Sequence, residues 1–300
     1  MDFLVDKAFD GRFLRDFLFK KLELSRSIVT DLKKKDGISI NGEKVTVRRP
    51  LHSGDTVSLD IEDTYADCDE SLFPSPLPLD IIYEDEYIIA VNKPPYMPTH
   101  LSHGHRLDTL ANALKYEFDK RGKPFVMRAV NRLDVDTSGI VIIAKNRYAA
   151  DRFAKTNTNI RYEKLYIALC HGKIDGEGEI KSYIRRVEES IITRASYSEG
   201  KDSEFAHTRY RVLQKIGGIS VVECEPVTGR THQLRVHLSS VGAPIVGDDM
   251  YGGGHDMPRQ ALHAGILRFT HPFTGEKVEL RAPLPEDMKK YLMEIENEVY

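Results

Sequence analysis

NRLDVDTSG, residues 131–139, is followed at once by the aliphatic segment IVII, residues 140–143, and together they form the most informative part of this sequence. Such an apolar run, bounded by a glycine, is typical of a fully buried strand. The loop before it carries Arg132, Asp134 and Asp136. Rigid scaffolds hold reactive groups in loops of this kind. We therefore expect a functional site here, although a purely structural charged loop has the same composition.

A second charged segment, TGRTHQLRVH at residues 228–237, contains Arg230, His232, Gln233 and Arg235. The residues before it form a strand pattern and those after it a helix pattern. Backbone N–H groups and basic side chains at a strand-to-helix junction can face an anion. Two such junctions in one chain predict a charged cleft.

The bulk composition is that of a globular protein. The 300 residues are 41% hydrophobic and 30% charged, which allows one large domain with a small appendage. We see no apolar run long enough to span a bilayer and no cationic-then-apolar leader, so we expect a cytoplasmic protein. The three cysteines are far apart in sequence, so neither a disulfide framework nor a thiolate metal site is predicted.

Charge is distributed unevenly despite a net charge of −3. Residues 12–49 contain eleven Lys and Arg against five Asp and Glu, whereas residues 50–92 contain no Lys or Arg. Clustered basic residues bind nucleic-acid phosphates. From this segment we expect phosphate contacts from Arg26, Lys33, Lys34 and Lys35. The three lysines could instead be a solvated helix end that complements the helix dipole.

The pattern of elements predicts an α+β protein with two domains. We expect a small N-terminal α/β domain at residues 1–62. It would consist of two short amphipathic helices, the second capped by Ser25, and a hairpin at Asn41-Gly42. Residues 63–79 are acidic and then proline-rich, which predicts an extended, flexible linker. In residues 80–300 strands outnumber helices, so we expect a mixed, mostly antiparallel sheet with flanking helices. The N-terminal unit resembles the alpha-L RNA-binding domain through residues 24–27 and 38–42.

The larger domain resembles the RluA family of RNA pseudouridine synthases, which isomerise uridine in ribosomal or transfer RNA. The matching segments occur in family order at residues 91–94, 131–139, 164–166, 228–237, 247–252, 262–264, 271–272 and 282–285. With the N-terminal unit, the resemblance covers nearly the whole chain. One departure is Asn131, since histidine commonly precedes the Arg-Leu-Asp core in the family.

The resemblance implies roles for individual residues. Asp134 would be the catalytic carboxylate, Arg235 its ion-pair partner with Arg230 as second candidate, and Tyr166 the residue that stacks on or orients the detached uracil and helps to remove the C5 proton. Arg132 would fill the space left by a flipped nucleotide, with a phosphate contact or a structural salt bridge as the alternatives. The remaining expected substrate or RNA contacts are Asn131, Lys93, Arg230, His232 and Gln233. No cofactor or metal is implied, and we expect none at His100, His103 and His105.

The resemblance leaves the RNA target open. We expect large-subunit rRNA, with a tRNA uridine as the alternative. Two other functions stay open at this point: an RNA-binding assembly factor that has lost catalysis, and a glycosidase that uses Asp134 with a second carboxylate. Nothing in the sequence requires more than a monomer.

Overall fold

A computed structural model of the protein describes residues 1–159, 162–172, 174–187, 193–200 and 202–299, with the side chains of these ranges apart from 156–159, 298 and 299. Across these residues the strands form a four-stranded sheet near the N-terminus and a ten-stranded sheet in the rest of the chain. Within the same residues, no helix combines the length and the apolar character needed to cross a membrane.

The N-terminal unit is built on the smaller sheet. Its elements are β1 (Asp2–Leu4), α1 (Leu14–Asp16) continuing into a π-helical segment (Phe17–Lys21), α2 (Arg26–Lys34), β2 (Ile38–Ile40), β3 (Glu43–Lys44) and β4 (Thr56–Leu59). The strand order is β1-β4-β2-β3, and every pair is antiparallel. The Ser25 hydroxyl accepts the N–H of Ile28, 3.4 Å away, and so caps α2 as predicted. Asn41 and Gly42 have φ values of 51° and 85°, as a type I′ hairpin turn requires.

The larger sheet forms the second unit. Its elements are β5 (Ile81–Glu84), β6 (Ile88–Lys93), α3 (Leu110–Lys120), β7 (Ser138–Ala144), α4 (Arg147–Asn159), β8 (Glu163–Cys170), β9 (Glu177–Arg186), β10 (Arg194–Tyr197), β11 (Glu204–Ile216), β12 (Ile219–Pro226), α5 (Gln233–Ser240), β13 (Leu262–Thr270), β14 (Lys277–Arg281) and α6 (Glu286–Val299). The order is β10-β9-β11-β12-β8-β13-β7-β6-β5, with β14 beside β13. Among the described strand pairs only β7 and β13 run parallel, so the α+β fold with a mostly antiparallel sheet is confirmed.

Strand β7 is buried along its whole length, which explains the aliphatic run after residue 139. Its second residue, Gly139, has a φ of 117° and pairs with Ala264 of β13. A Cβ atom at this position would lie 2.3 Å from the carbonyl oxygen of Ala264. Glycine is therefore needed for β7 to approach β13 closely, directly after the loop that carries Asp134.

The segment between the two units packs on the protein, which differs from the flexible linker that its composition predicted. Leu72 is buried against the core around α3. Asn112 of α3 donates its side-chain N–H to the Phe73 carbonyl oxygen at 2.7 Å, and the Ser75 N–H donates to the Asn112 carbonyl oxygen at 3.1 Å. Where one folding unit ends and the next begins stays a prediction.

The two units also contact each other directly through α4. The Tyr148 hydroxyl donates to the Leu22 carbonyl oxygen at 3.0 Å, and its buried ring packs edge-on against Phe3 and Phe273. Arg147 pairs with Asp31 at 2.5 Å. Since α4 follows the far end of β7, this contact lies at the opposite end of that strand from Asp134.

Candidate active site

An open cleft of about 730 Å³ lies where the loop before β7, strand β8 and the loop before α5 meet. Both charged segments of the sequence line it, which confirms that the fold brings them together. Asp134 is the only carboxylate among the described residues that line the cleft. A second carboxylate at the usual spacing of a glycosidase is therefore missing from the described lining.

Asp134 faces two basic side chains. Its Oδ2 atom lies 3.5 Å from Nη1 of Arg235 and 4.0 Å from Nε2 of His232. The Asp134 side chain is 30% exposed, so a substrate can reach it. The Asp134 carbonyl oxygen accepts the Thr137 N–H at 3.1 Å, which closes a tight turn. This turn fixes the carboxylate at the entrance of β7.

Arg235, on the first turns of α5, is fixed by a second carboxylate. Its Nε and Nη2 atoms donate to Asp248 at 2.7 and 2.8 Å, and the Asp248 side chain is completely buried. Burial alone would lower the pKa of Arg235, but the bonds to Asp248 and the charge of Asp134 outweigh it and raise that pKa. Arg235 is therefore a fixed cation whose Nη1 atom faces Asp134. Arg230 instead pairs with Glu204 at 2.8 Å.

His232 connects Asp134 to Tyr251. Its Nδ1 atom lies 2.9 Å from the Tyr251 hydroxyl, while Nε2 points toward Asp134. His232 has a φ of 57°, a left-handed conformation that is uncommon outside glycine and is often kept at functional sites. Burial lowers the pKa of His232, so at neutral pH the ring is uncharged. The His232 side chain is only 11% exposed.

Tyr166 lies on β8 between Cys224 of β12 and Ala264 of β13 and lines the cleft. Burial, together with the negative charge of Asp134, raises the pKa of its hydroxyl well above the usual range. At neutral pH Tyr166 is therefore protonated. It presents to a substrate an aromatic ring and a hydroxyl donor rather than a phenolate base.

Asn131 and Gln233, both expected to contact RNA, line the cleft but bind protein groups through their side-chain amides. Asn131 donates to the Ile140 carbonyl oxygen at 2.9 Å and accepts the Ile142 N–H at 2.8 Å, so its amide completes the edge of β7. The Gln233 amide group binds Thr228, the Arg230 N–H, the His207 carbonyl oxygen and Thr208. Both amides are therefore occupied by the protein, and each shapes a loop of the cleft.

Lys93, also expected to contact RNA, has a fully buried side chain. Its ammonium group donates to the carbonyl oxygens of Pro94, Met97 and Val135 at 2.8, 2.9 and 2.9 Å. The last of these oxygens belongs to the residue after Asp134. Lys93 thus ties the end of β6 to the loop that carries Asp134, and burial, partly offset by Asp136, lowers its pKa to about 7.

The pKa of Lys93 predicts a pH-dependent stability. Below pH 7 both the folded and the unfolded chain carry the proton, whereas between pH 7 and roughly 10 only the unfolded chain does. Raising the pH through this window therefore favours the folded state. We expect the unfolding free energy of wild type, minus that of Lys93→Met, to increase by a few kcal/mol between about pH 7 and 10. Urea titrations of both proteins would measure it, and parallel pH profiles would contradict the assignment.

Arg132 is the exposed cation at the cleft. It lies on the cleft wall, and among the described residues its guanidinium makes no ion pair or hydrogen bond. Burial and the nearby charge of Arg132 lower the pKa of His100. Arg26, Lys33, Lys34 and Lys35 are exposed on the N-terminal unit, and Lys35 lies 3.6 Å from Asp60.

Sequence analysis missed two residues of the site, Asp248 and Tyr251. Both belong to the segment 247–252, which carried resemblance but no assigned role. The Tyr251 ring lies 4.9 Å from the guanidinium carbon of Arg235 and its hydroxyl contacts His232. Asp248 could have been predicted as a partner of Arg235, because a buried arginine requires an acidic side chain beside it.

Comparison with known proteins agrees with this site. Residues 87–240, just over half of the 300-residue chain, match the family model of RNA pseudouridylate synthases. The uncharacterised RNA pseudouridine synthase YjbO of Bacillus subtilis is 37% identical over 275 residues, 91% of this chain and 95% of that protein. The ribosomal large subunit pseudouridine synthase D of Xylella fastidiosa is 32% identical, covering 90% and 84% of the two chains. The solved structure of human RNA pseudouridylate synthase domain containing 1 superposes with a TM-score of 0.57 at 34% identity, covering 69% and 83%.

The fold and the cleft therefore define an RNA-modifying isomerase. More specifically, the chain belongs to the RNA pseudouridylate synthase family, and its resemblance to the RluA branch is confirmed. It is an RNA pseudouridine synthase.

Proposed function

We propose that the protein isomerises a specific uridine of large-subunit ribosomal RNA, with Asp134 as the carboxylate that acts on the ribose. The observation that carries this proposal is the exposed Asp134 carboxylate beside the fixed Arg235 cation, 3.5 Å away in an open cleft. The large-subunit target is supported by the name of the Xylella fastidiosa relative. The same proposal includes a monomeric enzyme in the cytoplasm.

The proposed chemistry breaks the bond between C1′ and N1, turns the uracil and rejoins it through C5. Asp134 either attacks the anomeric carbon to form a covalent intermediate or removes a ribose proton. In both routes the Arg235 cation attracts the Asp134 carboxylate and directs it at the sugar. The reaction involves no net oxidation or reduction, so the residues of the cleft supply binding, orientation and proton transfer.

Access to C1′ and C5 requires that the nucleotide leave the RNA stack. Flipping a nucleotide costs a few kcal/mol. Arg132 is exposed beside Asp134 and has a planar group that can stack on the neighbouring bases in its place. Tyr166 would then contact the uracil ring inside the cleft.

A pseudouridine map tests the proposed target. Total RNA from cells with and without the gene would be treated with carbodiimide and read by primer extension. We expect one or a few stops in large-subunit rRNA to vanish in the deletion and to return with the wild-type gene but not with Asp134→Ala. Loss of sites in tRNA alone would favour the alternative substrate.

Charge reversal on α2 tests the basic N-terminal surface. Deleting the unit would expose the buried Tyr148 ring, so we prefer the double variant Lys33→Glu with Lys34→Glu, two exposed positions at the end of α2. If both lysines contact phosphates, binding to rRNA transcripts should weaken and the slope of log K against log salt should become shallower by about two. Filter binding at several salt concentrations would measure it. Lys277→Glu, an exposed position on β14, is the control, and an unchanged slope in the double variant would remove the surface from the proposal.

A further inference from the structure

Lys164 and Tyr162 line the same cleft as Tyr166. Alternate residues of a strand point to one face and are roughly 7 Å apart. The side chains at positions 162, 164 and 166 therefore form a row along the cleft, with Lys164 next to Tyr166. Neither Lys164 nor Tyr162 has a role in the mechanism described above.

Both side chains lack a polar partner. Among the described residues, the Lys164 ammonium makes no hydrogen bond or ion pair, and its nearest characterised contact is the Tyr162 ring, 5.9 Å from Nζ to the centroid. The Tyr162 hydroxyl is buried and has no hydrogen-bond partner among the residues that the structure describes. Partial burial also lowers the pKa of Lys164. Since buried polar groups in proteins are almost always hydrogen-bonded, the Tyr162 hydroxyl, with the unpaired Lys164 beside it, is expected to bind a group that enters with the substrate.

Lys93 provides an internal comparison. Lys93 is fully buried, and three carbonyl oxygens accept from its ammonium group, whereas Lys164 is only partly buried. A lysine with a structural role in this protein is thus fully paired, whereas Lys164 is left free at the cleft. This difference indicates that the Lys164 ammonium is available to bind a ligand and does not serve to stabilise the fold.

The surroundings of Lys164 indicate which part of an RNA substrate reaches it. Beside the cleft, Lys164 and Tyr162 share a small recess with Val130, Ile142 and Leu267, and the Asn131 amide there is already bonded to β7. Such apolar surroundings are better suited to the edge of a planar base than to a hydrated phosphate. Tyr166, on the same strand, is the expected contact of the uracil ring.

We propose that Lys164 is a further catalytic residue, which binds a carbonyl oxygen of the uracil together with the Tyr162 hydroxyl and stabilises the negative charge on the detached base. This inference rests on the proposed function. When the C1′–N1 bond breaks, its electron pair leaves with the uracil, and the sugar is captured by Asp134 or loses a proton to it. The uracil anion shares its charge between N1 and the carbonyl oxygens, and a fixed cation in a water-poor site stabilises such charge strongly. The charge on the base disappears when C5 bonds to C1′, and Asp134 is then released from the sugar as a carboxylate or returns the ribose proton. The new C–C product finally loses the C5 proton and gains a proton at N1.

The test compares Lys164→Met with wild type on large-subunit rRNA transcripts that contain either uridine or 5-fluorouridine. Single-turnover cleavage of the N-glycosidic bond should slow by about 10²-fold in the variant on uridine, with unchanged RNA affinity. The loss should be smaller on 5-fluorouridine, because fluorine itself stabilises the uracil anion. Tyr162→Phe should show a weaker effect of the same kind, and Lys277→Met, an exposed lysine on β14, should behave as wild type.

Other outcomes overturn the inference. Equal losses on both transcripts, with weaker binding and a salt slope shallower by about one, would identify a phosphate contact instead. Replacing an unpaired buried ammonium by a thioether should keep or raise thermal stability, so a large drop in melting temperature would indicate a structural role. If wild type modifies neither rRNA nor tRNA transcripts, the proposed function fails. If wild type is active and Lys164→Met equals it, only the role of Lys164 fails.

Discussion

Replacing Asp134 by asparagine should abolish pseudouridine formation while leaving RNA affinity within a small factor of wild type. Asparagine keeps the size of the side chain and one acceptor oxygen, but it has no charge and can neither attack the anomeric carbon nor remove a ribose proton. We expect the single-turnover rate to fall by about 10⁴-fold or more, which corresponds to roughly 5 kcal/mol of transition-state stabilisation. Tritium release from RNA labelled at C5 of uridine would measure the rate, since C5 loses its hydrogen when it bonds to the sugar.

Asp136→Asn is the matched control for this substitution. Asp136 belongs to the same loop but is not among the residues that line the cleft, and its carbonyl oxygen accepts from Nη1 of Arg259 at 3.0 Å. This variant should retain most of the wild-type rate. Substantial turnover in Asp134→Asn, or an equal loss in both variants, would remove Asp134 from the chemistry.

Local features of the fold could be predicted from the sequence because they depend on residues that are close along the chain. The aliphatic run of β7, the Ser25 cap and the Asn41-Gly42 turn are all of this kind. The family motifs then supplied the order of the larger elements. The packing of residues 72–75 against α3 was not predicted, since proline-rich composition alone does not show whether a segment finds a surface to cover.

The candidate site was harder to predict, because a sequence does not show which polar groups the protein itself satisfies. Lys93, Asn131 and Gln233 have side chains that suit RNA binding, yet each is bonded to backbone groups of a nearby loop or strand. Asp248 was overlooked for the opposite reason. Its importance comes from burial against Arg235, a contact between α5 and the segment that follows it that only tertiary packing creates.

The Arg235–Asp248 pair should serve both stability and catalysis, and the two roles can be separated. Arg235→Met leaves the Asp248 carboxylate, which is 0% exposed, without its partner. Asp248→Leu leaves the buried Arg235 with only the partly exposed Asp134, 3.5 Å away. Breaking such a pair from one side is expected to lower the unfolding free energy by about 3 to 5 kcal/mol. Both single variants should also lose turnover, because Arg235 is either absent or no longer fixed beside Asp134.

The double variant Arg235→Met with Asp248→Leu distinguishes the two roles. Replacing a whole buried ion pair by apolar side chains of similar volume is often neutral for stability, so we expect the double variant to regain most of the lost unfolding free energy in urea titrations. Turnover should stay low, because Asp134 would still lack the cation 3.5 Å from its carboxylate. Recovery of both properties together would mean that Arg235 acts only through the fold. Recovery of stability alone would show that the arginine is held in place by Asp248 in order to position Asp134.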